Sequence, residues 1–156
     1  MRTILTSCSL VLALLSGCGT VPNGASINHA QAQNLSDEYM ADLLADHVDR
    51  SLDKMGAAFV DSAGGRAKFE SATRDLFNYC GRPLGSELRH EETGFFADTD
   101  GRKLPMRIFV YSGKTTQHPE GVCFFAVRVV EDSAGIRVLG FGPLKLTSGE
   151  LPDWAR

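Results

Sequence analysis

The hydrophobic period of the chain changes once, at Pro83, from a helical repeat to strict alternation, and that switch restricts the possible folds more than any other feature. Before it, Met40, Leu44, Val48, Leu52, Met55 and Phe59 recur on one helical stripe. Ser36 stands where a helix N-cap is expected, with Asp37 and Glu38 in the first turn and Leu35 placed to staple onto Met40. The opposite side carries Asp42, Asp46, Asp49 and Asp53 and reads as a solvated helix surface. "DSAGGR" at 61–66 interrupts the repeat. A second helix then carries Phe69, Ala72, Leu76 and Cys80 on one side, until Gly81 and Pro83 end it.

After Pro83 the pattern is that of strands. A weak strand over 85–92 is followed by "FFADTDGRK", whose Asp100-Gly101 signals a tight turn. Asp98-Thr99-Asp100-Gly101 also echoes the opening of a calcium loop, but Arg102 and Lys103 stand where carboxylates should follow, so it reads as a turn. "LPMRIFVYS" alternates Met106, Ile108, Val110 against Arg107, Phe109, Tyr111. "VCFFAVRVVE" sets Cys123, Phe125, Val127 and Val129 on one apolar face, with Phe124, Ala126 and Arg128 on the other. "GIRVLGFGPLKL" supplies a last strand, loosened by a bulge or bend at Gly140 and Gly142. The expected fold class is α+β, with two N-terminal helices on a curved antiparallel sheet of about four strands, spanning residues 36–147. Residues 148–156 form a short tail whose Trp154 is expected to tuck against the domain edge.

With 156 residues there is room for one domain with a real core and not for two of ordinary size. A formal charge of -3, with no basic excess, argues against a nucleic-acid binder.

The first seventeen residues follow a different logic. Arg2 precedes an apolar run that is too short to span a bilayer and ends at "SGCGT", the layout of an export signal. Leu15-Ser16-Gly17-Cys18 resembles the lipobox of bacterial lipoproteins. That resemblance implies cleavage of residues 1–17 as a signal peptide and acylation of Cys18, so that the bilayer itself becomes a partner. Gly19 follows, without the Asp that resembles an inner-membrane retention signal, so the outer membrane, periplasmic side, is the expected address. Residues 18–35 are small and polar and read as a flexible tether. "LTSC" at Cys8 has too little apolar chain ahead of it to serve the same role, and Cys8 is discarded with the signal.

Two cysteines then remain, Cys80 and Cys123. An even pair in an exported chain reads as a disulfide, closing a loop of 43 residues between positions 80 and 123.

The element order is similar to cystatin-like and NTF2-like folds, and less so to small assembly lipoproteins of the BamE-like kind, which have three strands. Chemistry is sparse. His29, His47, His90 and His118 make no metal-binding spacing, and no nucleophile elbow, phosphate loop or dinucleotide fingerprint occurs. His90, beside Glu91 and Glu92, is the one catalytic candidate and reads as a surface histidine. No catalytic residue, metal or cofactor is expected. The alternation instead suggests a binding face of Arg107, Phe109, Tyr111, Phe124, Arg128 and Arg137, since aromatics interleaved with arginines are enriched at protein interfaces, unless the C-terminal "LTSGELPDWAR" segment with Trp154 simply covers this face. It would serve an envelope protein or self-association. The competing expectation is a small-molecule-binding or hydrolytic module that uses the concave side of the sheet.

Overall fold

The computed structural model describes residues 27–62, 64–98, 100–119 and 123–144. Four helices precede four strands, and the order is α1 (His29–Leu44), α2 (Val48–Leu52), α3 (Ala57–Ser62), α4 (Arg66–Cys80), β1 (Glu87–Ala97), β2 (Lys103–Gly113), β3 (Cys123–Asp132) and β4 (Gly135–Leu144). The strands form one antiparallel meander in the order β1-β2-β3-β4. The α+β class is therefore observed, with four helices among the described residues in place of two.

The helical region departs from expectation in two ways, each with a local cause. First, α1 starts seven residues before Ser36, because the Asn28 side chain accepts a hydrogen bond from the Gln31 amide at 3.1 Å and caps the helix. Residues 29–35 therefore belong to the domain and not to a tether, and Ile27 and Ala32 are core residues at 3% and 0% exposure. Ser36 is a buried mid-helix residue and not a cap.

Second, the long stripe from Met40 to Phe59 is broken twice. Asp46 takes a positive φ of 63° after α1 ends. Further on, the backbone at Lys54–Gly56 leaves the helix to bond with the edge of β4: the Val138 amide donates to Lys54 O at 2.9 Å, and the Gly56 amide donates to Val138 O. Those peptide groups cannot serve a helix and a sheet edge together. The acidic stripe is also divided, since Asp42 is buried and pairs with Lys54, while Asp49 and Asp53 are exposed.

α4 ends as its sequence implies, with Gly81 at φ 82° and its amide donating to Phe77 O. β1 runs to Ala97, further than the weak strand expected, and Asp98 closes the turn by accepting from the Asp100 and Arg102 amides. The register of β3 against β4 shifts between Arg128 and Val129, opposite Gly140, so the bulge falls in the expected region.

One core joins the helices to one face of the sheet. Tyr39, Met40, Leu43, Leu52, Met55 and Val60 meet Phe109, Tyr111, Val127, Val129 and Val138. Phe141 gathers aromatic rings from three elements around it, Tyr39, Phe77 and Phe125, at centroid distances of 5.6 to 6.5 Å.

Candidate interaction face

Directly paired residues of antiparallel strands share a face, so the register sorts the candidates. Phe109 lies opposite Val127, and Val127 opposite Phe141. Tyr111 lies opposite Phe125, and Arg107 opposite Val129. Arg107, Phe109 and Tyr111 therefore sit on the helix side and not with Phe124 and Arg128. The expected grouping is corrected here: β2 enters in the opposite phase, and its outward residues are Met106, Ile108 and Val110.

The inward three have structural partners. Phe109 is 0% exposed. The Tyr111 hydroxyl is hydrogen-bonded to Ser36 Oγ at 2.8 Å and Asp37 Oδ1 at 2.7 Å, which ties α1 to the sheet centre. Arg107 pairs with Glu91 and donates to Ile27 O, while His29 Nε2 meets the same carboxylate at 2.7 Å. That cluster clamps the start of α1 onto β1 and β2.

On the outer face the rows read Ser112, Phe124, Leu144; then Val110, Ala126, Gly142; then Ile108, Arg128, Gly140; then Met106, Val130, Arg137. Phe124, Arg128 and Arg137 thus lie on this one face, in its first, third and fourth rows. Apolar side chains fill the space between them, and Val110, Ala126 and Val130 are only 2%, 1% and 4% exposed.

Arg128 is the electrostatic anomaly of this face. Among the described residues its guanidinium has neither an ion pair nor a hydrogen bond, and desolvation lowers its pKa from the ordinary arginine value. The carboxylate nearest along its row is Glu92, on the far side of Ile108 and about 10 Å away at two strand spacings. Glu92 is already bonded to His90 at 3.2 Å. A half-buried cation among apolar groups is costly until an anion reaches it. The arrangement can therefore bind a carboxylate presented on an apolar surface.

Elsewhere the candidates are quieter. His90 lies on the outer side of β1 with Glu92 as its partner. No group of three or more metal-ligating side chains occurs among the described residues. A cleft between α2 and α3 is lined by Leu52, Asp53, Met55, Val60, Asp61 and Arg66, but Arg66 is already held by Asp53 and the Asp49 carbonyl. The helix side of the sheet is filled by the core, and no buried side-chain nitrogen or oxygen is left without a partner among the described residues.

Cys80 and Cys123 are not joined in the structure, and both are half-buried. Thr115 Oγ1 donates to Cys80 O at 3.0 Å, and Cys123 lies opposite Gly113, two residues away from Thr115. A Cβ on Gly113 would collide with the Gly85 carbonyl, so only glycine lets the end of β2 approach the chain leaving α4. Cys18 lies outside the described residues, as does Trp154. No helix among the described residues is long and apolar enough to cross a membrane.

What the sequence concealed was the phase of β2, since both of its faces are apolar. Only the register against β3 fixes that phase. β3 itself reads as a near-continuous apolar run, so alternation alone does not say which residues of its neighbours face the helices. Comparison of the chain with protein-family models, with curated proteins and with solved structures finds no match.

Proposed function

We propose that this is a lipid-anchored protein of the bacterial envelope, cleaved after residue 17, acylated at Cys18 and held on the periplasmic side of the outer membrane. Its α+β domain, of the cystatin-like or NTF2-like kind, binds a protein component of the envelope through the outer sheet face and performs no chemistry of its own. The observation that carries the binding reading is Arg128, a half-buried guanidinium with no anionic partner among the described residues, set between Ile108 and Gly140 on an apolar face. Phe124 and Arg137 extend that face in both directions. The alternative, a ligand bound on the concave side, finds little support, because that side is filled by Tyr39, Met40, Phe109 and Val127 at 2% exposure or less.

In this reading the oxidising compartment also joins Cys80 to Cys123, which would stabilise the fold by about 3 to 4 kcal/mol through loop closure.

Photo-crosslinking in intact cells tests the binding face. A crosslinker at Met106 or Arg137 is expected to give a discrete adduct that Arg128→Glu abolishes, and one at Glu38 on α1 is expected to give none. Adducts from Glu38 alone would contradict the assignment.

A further inference from the structure

The charges of the outer face are arranged about β2. The row through Ile108 reads Glu92, Ile108, Arg128 and Gly140 from β1 to β4, so a carboxylate and a guanidinium flank Ile108, one strand to either side. Within one chain the two are held apart by the Ile108 side chain and by two strand spacings, about 10 Å. The Glu92 side chain is 54% exposed, and His90 engages only its Oε1. Arg128 is half-buried and has no anion among the described residues.

The rows on either side are matched in size about the same strand. Val110 has His90 on its β1 side and the small Ala126 on its β3 side, whereas Met106 has Gly94 on its β1 side and the larger Val130 on its β3 side. A twofold axis laid along β2 exchanges these flanks. It turns a second copy over, sets β2 on β2 and β1 on β3, and keeps every row level with itself. Glu92 of each copy then stands over Arg128 of the other, His90 over Ala126 and Gly94 over Val130, while Arg137 on β4 falls at the rim. Sheets packed face to face lie about 10 Å apart, a gap that a glutamate and an arginine close when they reach from opposite sides. One rotation makes the contact twice, as a self-complementary interface requires.

We propose that the outer face docks a second copy of this chain about a twofold axis along β2, with Glu92 and Arg128 forming two reciprocal ion pairs around Ile108. The proposal rests on the binding reading given above and names its partner. Arg128 calls for a carboxylate carried on an apolar surface, and the chain itself presents one at the position that the symmetry demands.

The test uses the full chain in native membranes, co-expressed as two copies with different tags. A photo-crosslinker at Ile108, on the axis, is expected to give an adduct of twice the monomer mass that carries both tags. Glu92→Arg or Arg128→Glu in both copies sets like charges against each other and should reduce that adduct at least about tenfold. With Glu92→Arg in one copy and Arg128→Glu in the other, opposite charges face again at both pairs, and the two-tag adduct should return. Should Arg128→Glu fail to fold, Glu92→Arg alone, at an exposed side chain, still carries the test. A doubled adduct that Glu92→Arg leaves unchanged would overturn the proposal. An adduct with a different protein, lost in Arg128→Glu, would keep the binding face and discard the second copy. No adduct from Ile108, Met106 or Arg137 would discard the binding face itself.

Discussion

Tyr39 and Tyr111 both carry hydroxyls into the interior, and both are buried at 2% exposure. The Tyr111 hydroxyl is hydrogen-bonded to Ser36 and Asp37. Desolvation raises both phenols above their ordinary value of 10.0, and at Tyr111 the Asp37 carboxylate adds to the effect. In the unfolded chain both ionise near pH 10, whereas the folded protein holds them neutral. Their contribution to stability is therefore complete below about pH 10 and is lost as the pH rises from there toward the folded values. With Tyr79→Phe removing the third tyrosine, an alkaline titration followed by phenolate absorbance and far-UV circular dichroism is expected to show both signals moving in one transition. Phenolate formation near pH 10 with the dichroism intact would contradict this. Arg128 presents the opposite case on the other face: its charge is disfavoured where it stands, and an anion supplied by a partner would relieve it.

α1 carries the largest revision, and it can be tested as a unit. Because Ile27 and Ala32 are buried and His29 meets Glu91, the segment over 27–35 is part of the fold. A chain beginning at residue 26 is expected to unfold cooperatively in urea. One beginning at Ser36 should lose at least about 3 kcal/mol, the scale of deleting a large buried side chain, or fail to fold. Equal midpoints for the two chains would restore the tether. This segment was illegible in the sequence because its helix formers are alanine, glutamine and asparagine, whose small or polar side chains give no hydrophobic stripe. The break at Lys54–Gly56 was hidden for another reason, since its cause is a sheet edge more than eighty residues along the chain. By contrast, the end of α4 at Gly81, the turn at Asp100-Gly101 and the bulge near Gly140 are set by local chemistry, and each stands where the residues imply. Half of the candidate face was legible for the same reason. The facing of Phe124 and Arg128 follows from one strongly patterned strand, whereas that of Phe109 depends on the register between two.

For the molecule as a whole, the meander manages its edges differently on its two sides. The β4 edge is occupied by the backbone of Lys54–Gly56, while β1 carries Glu87, Arg89, Glu91 and Glu92, charges that discourage further pairing. The outer face, proposed above for recognition, lies between those two edges. The start of α1 is pinned to the sheet by Arg107, Glu91 and His29, so an anchor at Cys18 would sit nine residues from a fixed point of the domain, within about 30 Å at full extension. Attachment to lipid would confine the outer face to a layer close to the bilayer, where partners at low abundance meet it at high local concentration. The anchor is the premise for both the address and the oxidised cysteine pair. Intact-mass and non-reduced peptide mass spectrometry of the protein recovered from membranes tests it most directly. The N-terminal peptide is expected to begin at Cys18 and carry diacylglycerol with an added acyl chain, with Cys80 linked to Cys123 in the same digest. An N-terminal peptide that begins elsewhere, or that begins at Cys18 without lipid, would contradict it.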